Sequence, residues 1–416
     1  MDNPKTATKA PSKTLSRVTA AILTVIFLGF IFTAFFTMVI THRQDLVHSV
    51  LMTKELKATL PQHASPLDRL AARIGSFTAA IAENMWLKED MGYANSAFQY
   101  ALGKQVINTG SQNMIRLTDG HLYDLCDYKP LAKNAEEIVE LRNTAFKGLP
   151  FLFVYEHPTL YDPAMLPAGY EALDHSAEMA DEVLKVLRDG GIPALDSREV
   201  LTASGRSLDD LLLVTDQHWS TLAAITMAQR IAGEINAMTG AQLDASLLDL
   251  DHFETLRHKK LFLGKYGQRL GTGLVDPDDI VEYWPNYPTE IQRETKRVVS
   301  VDHAAGSFRE AVTRFDRLQP DPGRTWNKLA YTYYGQVEAY DLLTNESAPD
   351  TTILLLKDSY SAPIGTFLSL LARHVLCVDL RRDVQSIDWW LDTYHPDAVV
   401  MAYSLQMLRD DEYEFG

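Results

Sequence analysis

The chain reads as an α/β protein: an open, mostly parallel sheet with helices on both faces, preceded by one N-terminal transmembrane helix. Three observations predict this. Short, nearly continuous apolar runs rich in β-branched residues recur along residues 151–401, as in parallel strands buried on both faces. Stretches with helical periodicity alternate with those runs. Ahead of both, residues 18–41 (VTAAILTVIFLGFIFTAFFTMVIT) form 24 residues without a charged side chain, enough at about 1.5 Å per residue to cross a hydrocarbon layer of about 30 Å.

In chain order, residues 1–17 carry Lys5, Lys9, Lys13 and Arg17 against Asp2, a side-chain charge of +3 that leaves −19 for the rest of a chain of net charge −16. A basic flank before the apolar run and none after it predicts a cytoplasmic tail at 1–17 and an extracytoplasmic body. The run exceeds the apolar stretch of an export signal and no A-x-A site follows, so 18–41 is expected to be a membrane anchor. Residues 42–65 keep apolar side chains at helical spacing until Pro61 and Pro66, which suits a juxtamembrane stalk. Residues 66–416 are then one domain with elaborated loops.

Within that body, strands are expected at Phe151–Tyr155, Ile192–Leu195, Leu211–Thr215, Arg297–Val301, Thr352–Leu356, Val375–Asp379 and Ala398–Met401, and helices at Ala177–Arg188, Leu222–Met238, Ile364–Arg373 and Ser386–Tyr394. With 46% hydrophobic and 23% charged residues over 416 positions, the composition excludes a disordered or disulfide-stapled chain. The net charge argues against nucleic acid as a partner. Of the two cysteines, Cys377 lies in the apolar run HVLCVDL and reads as a small buried hydrophobe; Cys126 offers a disulfide partner on paper only. The scattered histidines, His252 and His258 included, show no metal-ligand spacing, and no cofactor motif is present.

Two stretches can carry chemistry, and in open α/β sheets the ligand crevice lies beyond the carboxyl ends of the strands. In LLLVTDQHWS (211–220), Asp216 and His218 stand two apart, so in extended backbone both face one side. A carboxylate beside an imidazole fixes its tautomer and stabilises its protonated form, as a general base requires. Ser220 is placed to cap the following helix. In TTILLLKDSYSAP (351–363), Ser359 sits in the turn between a buried strand and a helix, where a nucleophile is exposed and backbone amides can face an oxyanion. Taken singly, each stretch has a structural alternative, a loop pair in the first and a helix cap by Ser359 or Ser361 in the second. Together they supply nucleophile, base and orienting acid. The chain order Asp, His, Ser and the lack of G-x-S-x-G set it apart from nucleophile-elbow hydrolases.

These residues carry a resemblance. VTDQHWS resembles the D-x-H-W segment of the alginate O-acetyltransferases of the AlgJ and AlgX type and their DHHW relatives, and LLLKDSYSAP their nucleophile segment. FLGKYGQRLGTGLVDPDDIVEYWPNYPTEI is similar to their glycine-rich insertion, and VLCVDLRRDVQSIDWWLDTYHPDAVVMAYS to their closing strand, helix and strand; the resemblance spans most of residues 100–408. It implies an SGNH-hydrolase-like domain with Ser359 as nucleophile, His218 as base and Asp216 orienting it. Lys357 stands where many such enzymes have glycine, and the usual glycine and asparagine oxyanion donors are not identifiable. Trp219, Tyr360, Arg269 and Tyr403 are candidates to face substrate, each with a structural alternative. Trp284 and Tyr287 of WPNYP are candidate sugar platforms, whereas Trp389 and Trp390 read as packing.

The resemblance implies a membrane-anchored O-acetyltransferase that acetylates hydroxyls of an extracytoplasmic polysaccharide through an acyl-enzyme. A carbohydrate esterase would use the same three groups, and a non-catalytic glycan-binding member would keep the fold. Because acetyl-CoA is cytosolic and one span cannot form a conduit, the implied donor is a multi-span membrane acyltransferase.

Overall fold

The computed structural model describes residues 88–409 except 111, 161, 297–299, 336–337 and 383–384, and a few positions between 24 and 40. The expected tail at 1–17 and stalk at 42–65 lie outside the described residues. Of the expected anchor, residues 24, 25, 28, 29, 32, 33, 36 and 40 are described; all are helical, and Val25, Leu28, Phe32, Phe36 and Ile40 are exposed. Among the described residues no helix is long and apolar enough to cross a membrane. The chain divides into Met1–Ala94 and Asn95–Gly416, and the second unit holds all the strands described here.

Strands β1 (Val106–Asn108), β2 (Asn113–Arg116) and β3 (Leu122–Asp124) form a small antiparallel sheet. The main sheet uses β4 (Phe151–Glu156) and β5 (Ala194–Asp196); β6 (Phe253–Phe262) and β7 (Asp278–Pro285) stand apart as a two-stranded arm. The remaining strands of the main sheet are β8 (Ile291–Lys296), β9 (Val301–Gly306), β10 (Tyr340–Thr344), β11 (Thr352–Lys357), β12 (His374–Val378) and β13 (Ala398–Ser404). Its order is β5-β4-β13-β11-β12-β10-β8-β9.

Side chains of the central strands alternate between two cores, as a period of two requires. Ile353, Leu355, Val375, Cys377, Val400 and Ala402 enter one core with the helices Thr221–Thr239 and Ala362–Leu368. Leu354, Leu356, Leu376, Val378, Val399 and Met401 enter the other with Ala132–Asn143, Ser176–Asp189 and Ile387–Tyr394. Helices therefore cover both faces. Cys126 and Cys377 are both buried and free.

The expectation of a mostly parallel sheet holds for only part of it. Strands β5, β4, β13, β11 and β12 are mutually parallel, but β10, β8 and β9 extend the sheet in antiparallel fashion. Apolar patterning misses them because β9 is almost wholly exposed and the buried positions of β8 and β10 are largely polar: Arg293 and Thr295 of β8 both donate to Asp341 of β10, at 2.9 and 2.5 Å. The expected strand 211–215 is a second correction. Leu208–Leu211 is a helical turn, and residues 212–219 form an irregular segment closed by one bridge between Leu212 and Trp219. The expected strand 297–301 lies mostly outside the described residues.

Candidate active site

Strand β11 delivers Ser359. Its last residue, Lys357, is fully buried and donates to the Glu338 carbonyl at 3.3 Å, so the chain leaves the sheet at a fixed point. Asp358 then locks the turn. Its two carboxylate oxygens accept from the N–H groups of Tyr360 (2.8 Å) and Ser404 (2.9 Å). Beneath it lies buried Glu156; burial, then the neighbouring Asp358, push its carboxyl well above the usual range. Neither serine caps the helix Ala362–Leu368 through its side chain. Ser361 Oγ donates to the Ala402 carbonyl at 2.9 Å, and Ser359 Oγ faces His218.

The Asp216–His218 segment has no strand to hold it and is clamped by the β6–β7 connection. The Gly264 N–H donates to Thr215 Oγ1 (2.8 Å), the Lys265 N–H to Asp216 Oδ2 (2.6 Å) and the Gly267 N–H to the Thr215 carbonyl (2.9 Å). From the other end of the connection, Asp278 accepts from the Val214 and Thr215 N–H groups at 2.8 and 2.9 Å and from the Thr215 hydroxyl. Glycine is needed at 264 for approach alone: its φ of −68° suits any residue, but a Cβ there would fall 2.3 Å from Asp216 Cβ and 2.5 Å from the Thr215 oxygen. Thr159, after β4, donates to the Asp216 carbonyl at 3.1 Å.

Three side chains meet as a result. His218 Nε2 lies 2.9 Å from Ser359 Oγ, and Nδ1 lies 2.5 Å from Asp216 Oδ1. Asp216 and His218 are buried, while Ser359 is half-buried and reachable. Burial opposes ionisation of Asp216, but His218 and the backbone donors outweigh it and hold the carboxyl below the usual range. With Nδ1 donating to a carboxylate, Nε2 is left as acceptor toward the serine hydroxyl, the arrangement that removes a proton from an attacking oxygen. The Tyr360 N–H is taken by Asp358. Among the described residues the Ser359 N–H donates to no group, which leaves it free to face an oxyanion.

The other expected site residues separate. Tyr360 is buried with its ring 4.4 Å from that of His218. Trp219 is buried in the core, and its indole N–H donates to the Tyr360 carbonyl at 3.1 Å and so ties base segment to nucleophile turn. Arg269 is half-buried in the helix Lys265–Leu270, and its carbonyl accepts from Ser96. Tyr403 is corrected outright: it points into the core on the sheet face opposite the helix Thr221–Thr239 and is fully buried. Arg309 covers the Trp284 ring at 4.0 Å. Trp390 is buried and Trp389 partly exposed. Sequence reading missed Tyr331, which stacks on His218 at 4.3 Å and 24°. It also missed the clamping roles of Gly264, Lys265 and Asp278; the glycine spacing in LGKYGQ was the available signal.

A serine, an imidazole and a carboxylate in one hydrogen-bonded line at the carboxyl edge of an α/β sheet have the geometry of a nucleophilic acyl-transfer site. Comparison with known proteins agrees on the class. Residues 127–270 match the family model described as the SGNH hydrolase-like domain of the acetyltransferase AlgX, so the resemblance read from the sequence stands. Among solved structures, the chain is similar to Bacillus cereus PatB1 at 19% identity and a TM-score of 0.59, over 73% of this chain and 100% of that one. A second PatB1 structure, with a sulfonyl adduct, matches at 16% identity and a TM-score of 0.58, over 74% and 99%. A DHHW family protein from Eubacterium siraeum matches at 18% identity and a TM-score of 0.55, over 74% and 94%. These likenesses establish a shared fold. No curated protein matches the chain.

Proposed function

We propose that the protein is an O-acetyltransferase acting on hydroxyls of an extracytoplasmic polysaccharide, anchored by residues 18–41 with its N-terminus in the cytoplasm. The observation that carries this reading is the line Ser359–His218–Asp216; the match of residues 127–270 to an acetyltransferase family supports the choice of acyl group. Ser359 Oγ attacks the acyl carbonyl while its proton passes to His218 Nε2. The bond to the leaving group breaks, and that group departs with the proton. A glycan hydroxyl then gives its proton to Nε2 as its oxygen attacks the ester; the bond to Ser359 Oγ breaks, and the serine is reprotonated. Asp216 stabilises the imidazolium in both halves. The acyl donor is a multi-span membrane acyltransferase that hands acetyl across the bilayer.

The test uses the full chain in detergent with 4-nitrophenyl acetate as donor. Wild type should gain one acetyl group on Ser359 by intact mass and pass it to a glycan, and phenylmethylsulfonyl fluoride should block both, as the sulfonyl adduct of the Bacillus cereus protein suggests. Ser359→Ala and His218→Ala should each lose about 10³-fold or more of the rate. Variants equal to wild type would end the enzymatic reading, and acetate release with no acetylated glycan would replace transferase by esterase.

A further inference from the structure

The imidazole of His218 sits between two tyrosines. The ring of Tyr331 is stacked 4.3 Å from it at 24°, and the ring of Tyr360 lies 4.4 Å from it at 40°. Two rings this close over one face would touch each other. Among the described ring pairs Tyr331 and Tyr360 do not, so they take opposite faces. The ring edge is occupied as well, with Nδ1 toward Asp216 and Nε2 toward Ser359.

Each tyrosine is held by a different part of the fold. Tyr360 follows the nucleophile; its N–H donates to Asp358 at 2.8 Å, its carbonyl accepts from the Trp219 indole at 3.1 Å, and its ring meets that of Trp219 edge-on at 6.1 Å. Tyr331 belongs to the short helix Ala330–Tyr334 and is backed by the Phe262 ring at 5.5 Å. That helix is tied to β7, the Tyr333 hydroxyl donating to the Val281 carbonyl at 3.0 Å and the Tyr334 hydroxyl to the Tyr283 carbonyl. Burial pushes the Tyr331 and Tyr360 hydroxyls above the ordinary tyrosine range, so both rings stay neutral at any pH where a histidine base works. A neutral aromatic ring presents a negative face, and a cation over that face is attracted most strongly where water is excluded. His218 is buried, so an imidazolium formed there has little water to stabilise it.

Resting on the acyltransfer reading above, we infer that Tyr331 and Tyr360 are positioning residues for the base. The pair fixes the ring plane that aims Nδ1 at Asp216 and Nε2 at Ser359. Its π faces stabilise the imidazolium formed when Ser359, and later the acceptor hydroxyl, gives up its proton. Tyr331 is half-buried and lies outside the nucleophile turn, so its exchange leaves the turn of Ser359 intact.

Full-length protein in detergent is mixed rapidly with 4-nitrophenyl acetate, and the nitrophenol burst is followed as a function of pH. The burst amplitude counts competent sites, so rates refer to folded enzyme alone. Tyr331→Leu should lower the acylation rate at saturating donor about tenfold, with the half-saturating donor concentration changed by no more than about twofold. It should also move the acid limb of the profile to lower pH, because a less stabilised imidazolium gives up its proton more readily. Tyr331→Phe keeps the ring and should restore both to near wild type. Tyr331→Trp presents a stronger π face and should move the limb to higher pH, a change that misfolding or simple loosening cannot produce. The other ionisable groups near the pair, Arg317, Arg382 and Glu338 around Tyr331 and Asp358, Glu156 and Tyr266 around Tyr360, are the same in every variant, so the limb reads the ring. The inference is overturned if Tyr331→Leu acylates like wild type, if its rate falls while the limb stays, if Tyr331→Phe falls as far as Tyr331→Leu, or if Tyr331→Trp does not raise the limb. Absence of a burst from wild type would instead remove the acyltransfer reading itself, and this inference with it.

Discussion

Ser359 and His218 stand 2.9 Å apart but come from regions built in different ways. The serine follows β11, paired on both sides by parallel strands and filled with leucines that are completely buried. The histidine follows no regular element, and its neighbours Val214, Thr215 and Asp216 are held by donors and acceptors at the two ends of the β6–β7 connection. The nucleophile therefore inherits the stability of the whole sheet, and the base depends on a local clamp. Damage to the clamp should cost activity before it costs folding, and damage to the sheet the reverse.

Two glycines set that contrast against itself, and they carry the largest expected effect. A Cβ at Gly264 would fall 2.3 Å from Asp216 Cβ, and one at Gly365 would fall 2.2 Å from Cys377 Sγ, where the helix Ala362–Leu368 presses on β12. Gly264→Ala should displace Asp216 and lower the acylation rate about 10²-fold, with a modest loss of stability. Gly365→Ala should cost about 1–3 kcal/mol of overpacking, partly offset by alanine's better helix propensity, while the folded fraction keeps most of its rate. Denaturant midpoints and burst amplitudes on the same samples decide it. If Gly264→Ala unfolds the protein while acylation by the survivors is normal, the division of labour is wrong.

The same contrast explains what could be read in the residues. TILLLK, HVLCV and AVVMAYS announce strands because both faces of each meet apolar cores, and a serine following such a strand at a helix start is conspicuous. The pair Asp216 and His218 was also legible, since two residues apart is close in almost any conformation. The clamp was not legible, because it works through backbone N–H groups, which any sequence has, and through a contact between residues 49 positions apart. Strands β8 and β10 were hidden for another reason: Arg293, Thr295 and Asp341 satisfy one another inside the sheet, so the buried face reads as polar. Tyr403 misled in the opposite sense, a polar-tipped ring near the strand end that belongs to the core.

Asp278 sharpens the clamp through pH. Burial raises its carboxyl to about 6, against the hydrogen bonds from Thr215 and Val214, which lower it. Because the folded value lies above the unfolded one of about 3.8, the native state binds the extra proton; the associated stability is full below about pH 4 and is lost as pH climbs to about 6. Wild type should thus lose stability relative to Asp278→Asn across that window and run parallel to it above. A thermal-melt difference that stays flat from pH 4 to 7 would show that Asp278 does not titrate there.

The smallest expected effect tests a strut between the two regions. Trp219 stands next to His218 in the chain, yet its indole donates to the carbonyl of Tyr360, next to Ser359. Trp219→Phe keeps an aromatic ring in the core and removes only that donor, a loss of about 1 kcal/mol. If the sheet and the clamp each position their own group, the strut refines a distance already set from both sides. The acylation rate should then fall no more than about fivefold, the equivalent of that energy. The pH–rate profile should keep its shape, because His218 retains both Asp216 and its ring neighbours. A loss comparable to that of Gly264→Ala would mean that the base takes its position from the nucleophile turn, and that the β6–β7 arm merely covers a geometry fixed by Trp219.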